Sequence, residues 1–308
     1  MAELKYDKTG RLLFTKEMKE EYTILVPQML PIHFEFLVRA LRLDGYNVEI
    51  INTTHREIIE QGLKHVHNDI CFPAMLVIGQ MLDALKSGKY DEHRTALMIT
   101  QTGGGCRASN YIHLLRKGLK KAGLEHVPVI SLNLSGLEKN SGFKLNLNLL
   151  RRLIYSCVYG DILMWLSNNC RAYEINKGDT DRLLNTWIER ISNEFRDTSR
   201  LNRKHIKENM EAIVQDFAAL PRTSEVKPRV GVVGEIYVKY APLGNNNLEK
   251  FLEAEGAEVI VPGILDFLIF KTDNRVEDVN LYGDTYIKKI VAGMLKRYLM
   301  DYQDIMRE

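Results

Sequence analysis

Two cysteines hold the best-placed chemistry in this chain. Cys106 stands in QTGGGCRASNY (residues 101–111), after an apolar run and before a helix-like segment. Cys71 stands in HNDICFPAM (residues 67–75), just ahead of Pro73. Proline is favoured in the first turn of a helix, so both cysteines are expected where a strand or loop hands over to a helix. A helix N-terminus has unpaired N–H groups and partial positive charge, which favour thiolate over thiol. Gly103, Gly104 and Gly105 clear side chains from beside Cys106 and let backbone N–H groups approach an anion, and Arg107 adds a fixed positive charge. If both junctions lie on one edge of a parallel sheet, the converging thiolates form a partial site for an anionic iron–sulfur cluster. The same TGGG loop has a second reading, as a cradle for phosphate. It is not a Walker A motif, because no Lys-Ser/Thr follows, and it does not match GxGxxG.

Other groups have plainer readings. Cys157 lies in an apolar helical stretch with Ile154 and Val158 at helical spacing and is expected in the core. Cys170, in SNNCRAYE, is expected at a helix end, more exposed but structural. There is no CxxC pair to support a zinc ribbon or a thioredoxin-like motif. His65, His67, Asn68 and Asp69 read as loop polar groups rather than metal ligands. Glu235 and Lys239, in GEIYVKY, are candidates for an acid–base or substrate-contacting pair, with a surface ion pair as the simpler alternative. Asn245 to Asn247 read as caps of the following helix.

The elements that must position these residues follow from periodicity. Residues 22–26 (YTILV), 47–52 (NVEIIN), 96–100 (ALMIT) and 127–132 (VPVISL) read as buried strands, with helical patterns at 33–43, 58–65, 73–86 and 108–122 between them. The alternation predicts a parallel α/β lobe over residues 1–144. Residues 145–228 read as a helical connecting region, with breaks at Gly160, Asn168-Asn169 and Gly178, closing on the linker PRTSEVKP. Residues 229–308 begin a second α/β lobe, with strands at 229–233 and 257–261, helices at 247–255 and 285–306, and too few strands for a complete doubly wound domain. The fold class expected is therefore α/β, with two Rossmann-like or flavodoxin-like parallel-sheet lobes joined by helices and the second lobe incomplete.

Composition narrows the function classes. The 308 residues suffice for two domains, and 42 Lys and Arg against 40 Asp and Glu leave a net charge of +2, which makes no electrostatic case for nucleic acid. The charged N-terminal stretch lacks the apolar core of a signal peptide, and no run is long and uncharged enough to span a membrane. A cytoplasmic protein is expected, with its four cysteines not in structural disulfides.

Three long segments resemble a known family. NDICFPAMLVIGQMLDALKSGKYD, ALMITQTGGGCRASNYIHLLRKGLKKAG and GVVGEIYVKYAPLGNNNLEKFLEAEGAEVIVP are similar to the 2-hydroxyacyl-CoA dehydratase-related family. Within it they resemble the region that follows the ATPase modules of the large acyl-CoA dehydratase activase-related proteins of anaerobic bacteria. The resemblance covers the chain from about Tyr22 onward. It implies two α/β lobes with a [4Fe–4S] or related cluster between them, reduced at low potential by an ATP-driven activase for radical chemistry on an acyl-CoA. By motif match, Cys71 and Cys106 would be cluster ligands. The chain departs from the pattern in having no cysteine after Cys170. It is then a fragment, or a shorter protein that does not complete the cluster alone, or one whose cysteines pair with those of a second copy in a homodimer. It has no ATPase motif, so an activase would be a separate chain or a missing module. Two readings without redox chemistry stand beside this one: a module binding CoA or another phosphate-bearing ligand on the TGGG loop, and an assembly subunit for an activase.

Overall fold

The computed structural model describes residues 2–67, 69–101, 110–133, 142–283 and 285–308. It is a mixed α/β protein that divides into two compact units. Unit 1 comprises residues 1–34, 38–149 and 235–247, and unit 2 comprises 35–37, 150–234 and 248–308. This grouping differs from sequence boundaries at 144 and 228: the connecting helices share a unit with the second sheet, and residues 235–247 leave that sheet for unit 1.

In unit 1 a short helix α1 (Lys16–Glu21), capped by the Thr15 side chain, leads into β1 (Thr23–Pro27). Then follow α2 (Pro31–Leu43), β2 (Val48–Ile51), α3 (Glu57–His65), α4 (Phe72–Lys86), β3 (Thr95–Gln101), α5 (Tyr111–Lys121) and β4 (Val129–Asn133). All strand pairings are parallel, in the order β2-β1-β3-β4. Both faces of the sheet are covered, so its strands are apolar on both sides. Leu25, Leu97, Ile99 and Val129 join α4 and α5 in one core cluster, while Ile24, Ala96, Met98 and Ile130 are equally buried on alternate positions. The turn from α2 to β2 needs Gly45, whose φ of +85° suits glycine.

Two glycines bring α3 and α4 into backbone contact. A Cβ on Gly62 would lie 2.5 Å from the Met75 carbonyl oxygen, and one on Gly79 would lie 2.1 Å from that of Ile58. At the end of α3, His65 is buried rather than in a loop; its Nδ1 donates to the Gln61 carbonyl (2.8 Å) and its Nε2 accepts from Lys86 Nζ (3.1 Å). Burial, with Lys86 and other cations adding to it, holds the imidazole below its ordinary value. The neutral ring is therefore the folded form, and protons bind the unfolded chain more readily. Unit 1 stability should be level above about pH 6.5 and fall as the pH drops below it. Urea denaturation at several pH values should show a shallower acid loss for His65→Gln. Equal slopes for the two proteins would refute the assignment.

Unit 2 is organised around α6 (Leu147–Tyr173), which enters it at Leu150. Tyr155, Val158, Tyr159, Ile162, Leu163 and Met164 are buried on several sides of this helix, which marks it as central. The expected breaks at Gly160 and Asn168-Asn169 do not occur. The helix runs through both, because the two asparagine side chains donate outward to Glu249 Oε2 (2.8 Å) and Glu258 Oε1 (2.9 Å) rather than competing for their own backbone. The break at Gly178 is real; with φ of +90° it precedes α7 (Asp179–Glu194). Next come α8 (Arg203–Ala218) and the irregular linker, held where Thr223 N–H donates to the Tyr173 carbonyl (2.8 Å).

The strand β5 (Arg229–Gly231) then pairs in parallel with β6 (Glu258–Ile260), a two-stranded sheet as the sequence suggested. Between them lie α9 (Ile236–Tyr240) and α10 (Pro242–Asn245), which belong to unit 1, and α11 (Leu248–Ala254). Ahead of α11, Asn246 ends α10, and Asn246 and Asn247 both adopt positive φ. Unit 2 ends with α12 (Ile264–Tyr282) and α13 (Tyr286–Arg307), packed along each other. The N-terminus of α12 rests on Asp161: this buried carboxylate accepts from the N–H groups of Ile264 and Leu265, each at 2.8 Å. No described helix is long and apolar enough to cross a membrane.

Candidate functional site

The strand order places a topological switch point between β1 and β3, where successive connections leave in opposite directions. In open parallel sheets the crevice at the C-terminal ends of such strands is where ligands bind. Here it is bounded by the ends of β1 at Pro27 and β3 at Gln101. The residues that follow β3, with Gly103, Gly104, Gly105, Cys106 and Arg107, lie outside the described residues. The chain is described again from Asn110, which precedes α5.

Cys71 is placed as the N-cap of α4, with extended backbone (φ −63°, ψ 144°) and Pro73 in the first turn. Its side chain does not cap the helix. Instead, Sγ lies 3.0 Å from the hydroxyl of Tyr111, the first residue of α5. The thiol is half-buried. The sulfur of Cys71 thus meets the start of the helix that follows Cys106 in the sequence.

Some buried polar atoms of unit 1 have no partner among the described residues. Gln80 Nε2 donates to the carbonyl of Thr53, beyond the end of β2 (2.8 Å), while Gln80 Oε1 and Thr53 Oγ1 are buried and have no hydrogen-bond partner among the described residues. Tyr237 of α9 is buried in the same core cluster as Met75 and Leu76 of α4, and its hydroxyl also has no partner among the described residues. Burial pushes this phenol far up, and the charge of Glu235 adds to it. Sequence reasoning passed over Tyr111 and Tyr237, since tyrosines in helical patterns look like ordinary core residues; their value lies in positions that only the fold assigns.

Glu235 and Lys239 are held by local structure. The Glu235 carboxylate accepts from the N–H groups of Tyr237 (2.9 Å) and Val238 (3.0 Å), capping α9, and Lys239 Nζ lies over the Tyr240 ring at 4.3 Å. The remaining described cysteines sit in α6. Cys157 keeps a little accessible surface, yet the packing around its sulfur pushes the thiol up to about 12, with Asp161 adding to it. Cys170 is buried rather than exposed, its thiol is raised chiefly by burial, and it donates to the Phe217 carbonyl at 3.7 Å. Neither is disposed to ionise. His67 is exposed beside Asp69, with Nδ1 3.3 Å from Oδ2.

The chain matches no known family model, and no curated protein or solved structure matches it. The reading of the site therefore rests on its own chemistry. That chemistry is a thiol at a helix start, with a tyrosine hydroxyl on the sulfur.

Proposed function

We propose that this chain is an iron–sulfur protein of the dehydratase-related kind, relaying or using a low-potential electron for reductive or radical chemistry on a bound substrate such as an acyl-CoA. The observation that carries the reading is the 3.0 Å approach of Cys71 Sγ to Tyr111 Oη, at the head of the helix downstream of Cys106. The donor set fits in kind. Cys71 is a half-buried thiol not used as a helix cap, and it precedes a helix whose N–H groups favour negative charge. Cys71 and Cys106 would hold a [4Fe–4S] or related cluster, with further ligands from another chain. When bound, such a group supplies one-electron reduction at low potential. Tyr111 would hydrogen-bond to the Cys71 sulfur and lower its electron density. Gly103 to Gly105 and Arg107 would offset the anionic charge, and an ATP-driven activase, on a separate chain or in a further module, would deliver the electron.

The test is anaerobic purification and reconstitution, followed by iron and sulfide analysis and EPR spectroscopy. Wild type should retain iron with equivalent sulfide, and Cys71→Ser should lose most of both. A reconstituted wild type without iron sinks the proposal.

One observation favours a second reading, a module that binds a phosphate-bearing ligand. Thr9, Gly10, Arg11, His113 and Arg116 line an open cleft of about 440 Å³, with the last two on α5. Arg11 is already paired with Asp7 (2.8 Å), which weakens its claim on an anion. Calorimetric binding of a CoA thioester by Cys106→Ser protein would favour this reading.

A further inference from the structure

The opposite edge of the same sheet carries a group that the cysteine chemistry does not use. Parallel pairing of Leu97 with Val129 sets the N-terminal ends of β3 and β4 side by side. The segment before β3 is a 3₁₀ turn, Glu92–Arg94, fixed by Asp91: its Oδ1 accepts from His93 N–H (3.0 Å), and its carbonyl accepts from Arg94 N–H (2.9 Å) and Thr95 Oγ1 (2.7 Å). The segment before β4 is a turn in which Val127 N–H donates to the Leu124 carbonyl (3.1 Å), anchored by the buried side chains of both residues. His126 projects from that second turn. These two rigid turns bring Glu92, His93 and His126 together, with one possible ligand atom from each lying within 4.8 Å of the others.

Glu92 Oε1 lies 3.5 Å from His126 Nε2 and 3.8 Å from His93 Nε2. The His126 Nε2 atom is buried and has no hydrogen-bond partner among the described residues, so the carboxylate facing it does not satisfy it. Around a tetrahedral zinc ion, with ligand bonds of about 2.0–2.2 Å, neighbouring ligand atoms stand roughly 3.3–3.5 Å apart. The carboxylate is thus already near ligand spacing to both imidazoles. The two rings are stacked, with centroids 4.5 Å apart and planes at 27°, which aims their nitrogens side by side rather than at one point. Convergence requires one ring to turn. The His93 side chain is 53% exposed, whereas that of His126 is only 20% exposed.

The geometry points to a divalent transition-metal site, of the zinc class, formed by Glu92, His93 and His126 with a water in the fourth position. Two imidazoles and one carboxylate suit zinc, cobalt or nickel, and not magnesium or calcium, which take oxygen shells. The ion would tie together the turns that lead into β3 and β4, at the end of the sheet remote from Cys71. The site therefore stands or falls independently of the iron–sulfur proposal.

The test uses the full-length chain carrying Cys71→Ser and Cys106→Ser, cleared of metal with a chelator and titrated with cobalt and then zinc. One equivalent of cobalt should give visible bands of nitrogen and oxygen ligation without thiolate charge transfer, and zinc should displace it. His93→Ala, at an exposed position that does not threaten folding, and His126→Ala should each weaken binding more than about 100-fold, beyond the 10–100-fold typical of losing a supporting partner. Zinc should raise the melting temperature of the parent protein and leave that of the histidine variants unchanged. Unchanged affinity in both histidine variants, a titration with no saturable one-to-one phase, or sulfur-type bands would each overturn the proposal.

Discussion

Asp161→Ala should destabilise unit 2 by about 2–6 kcal/mol, since each buried N–H left without its acceptor costs roughly 1–3 kcal/mol. Two such groups are at stake, on Ile264 and Leu265, and both residues are buried. The carboxylate is fitted closely to the start of α12: a Cβ on Gly263 would lie 2.5 Å from Asp161 Oδ2. Asp161→Asn should fall between wild type and alanine, keeping one acceptor while losing the charge and presenting an NH₂ to a donor. Chemical denaturation followed by tryptophan fluorescence reads the difference. A loss below about 1 kcal/mol for alanine would mean the cap is worth no more than an ordinary exposed hydrogen bond. Removing the charge should also make the Cys157 thiol somewhat easier to ionise, although burial keeps it high in either case.

The second large effect is expected from one added methyl group. Alanine at an exposed helix position usually stabilises relative to glycine by roughly 0.5–1 kcal/mol. At Gly79 that gain is overwhelmed, because the new Cβ would meet the Ile58 carbonyl oxygen at 2.1 Å and the Gly62 backbone nitrogen at 2.9 Å. Both obstacles are backbone, so relief requires α3 and α4 to separate. Overpacking of this kind costs about 1–3 kcal/mol, occasionally more, and Gly79→Ala belongs at the upper end. Gly118→Ala is the matched control: its Cβ would be 3.4 Å from Ile78 Cγ2, a side-chain atom able to shift, so the change should be nearly neutral. Thermal denaturation distinguishes them. Since α4 begins at Phe72, its displacement would also carry Cys71 away from Tyr111, so reconstituted Gly79→Ala should hold less iron than Gly118→Ala. Equal melting temperatures for the two variants would contradict the close helix crossing.

The parallel sheet was legible in the sequence because its strands are short, unbroken apolar runs, which strands buried on both faces require. Each of the four observed strands begins and ends within two residues of its expected position. The placement of Cys71 ahead of α4 was legible too, from Pro73. What escaped were relations made by tertiary structure. Asn168 and Asn169 look like a helix stop until their carboxylate partners, some ninety residues on, are known. The helix α12 went unread because its apolar residues lack a clean single face; Phe270 is exposed while Thr272 is buried. His65 reads as a loop residue in the sequence because burial of a helix-end histidine leaves no local mark. The grouping of Glu92 and His93 with His126 follows from strand order alone, which no spacing along the chain discloses.

The piece of unit 1 drawn from residues 235–247 has a consequence for how the polypeptide is made. Tyr237 and Ala241 are buried with side chains from α4, α5 and all four strands of the sheet, yet they are translated long after them. At about 5–20 residues per second, a ribosome needs roughly 5–20 s to travel from the end of the contiguous part of unit 1 to Ala241. Throughout that interval the core that α4 shares with Tyr237 and Ala241 lacks those two side chains. The packing of α4 is thereby completed only when residues 235–247 have been synthesised.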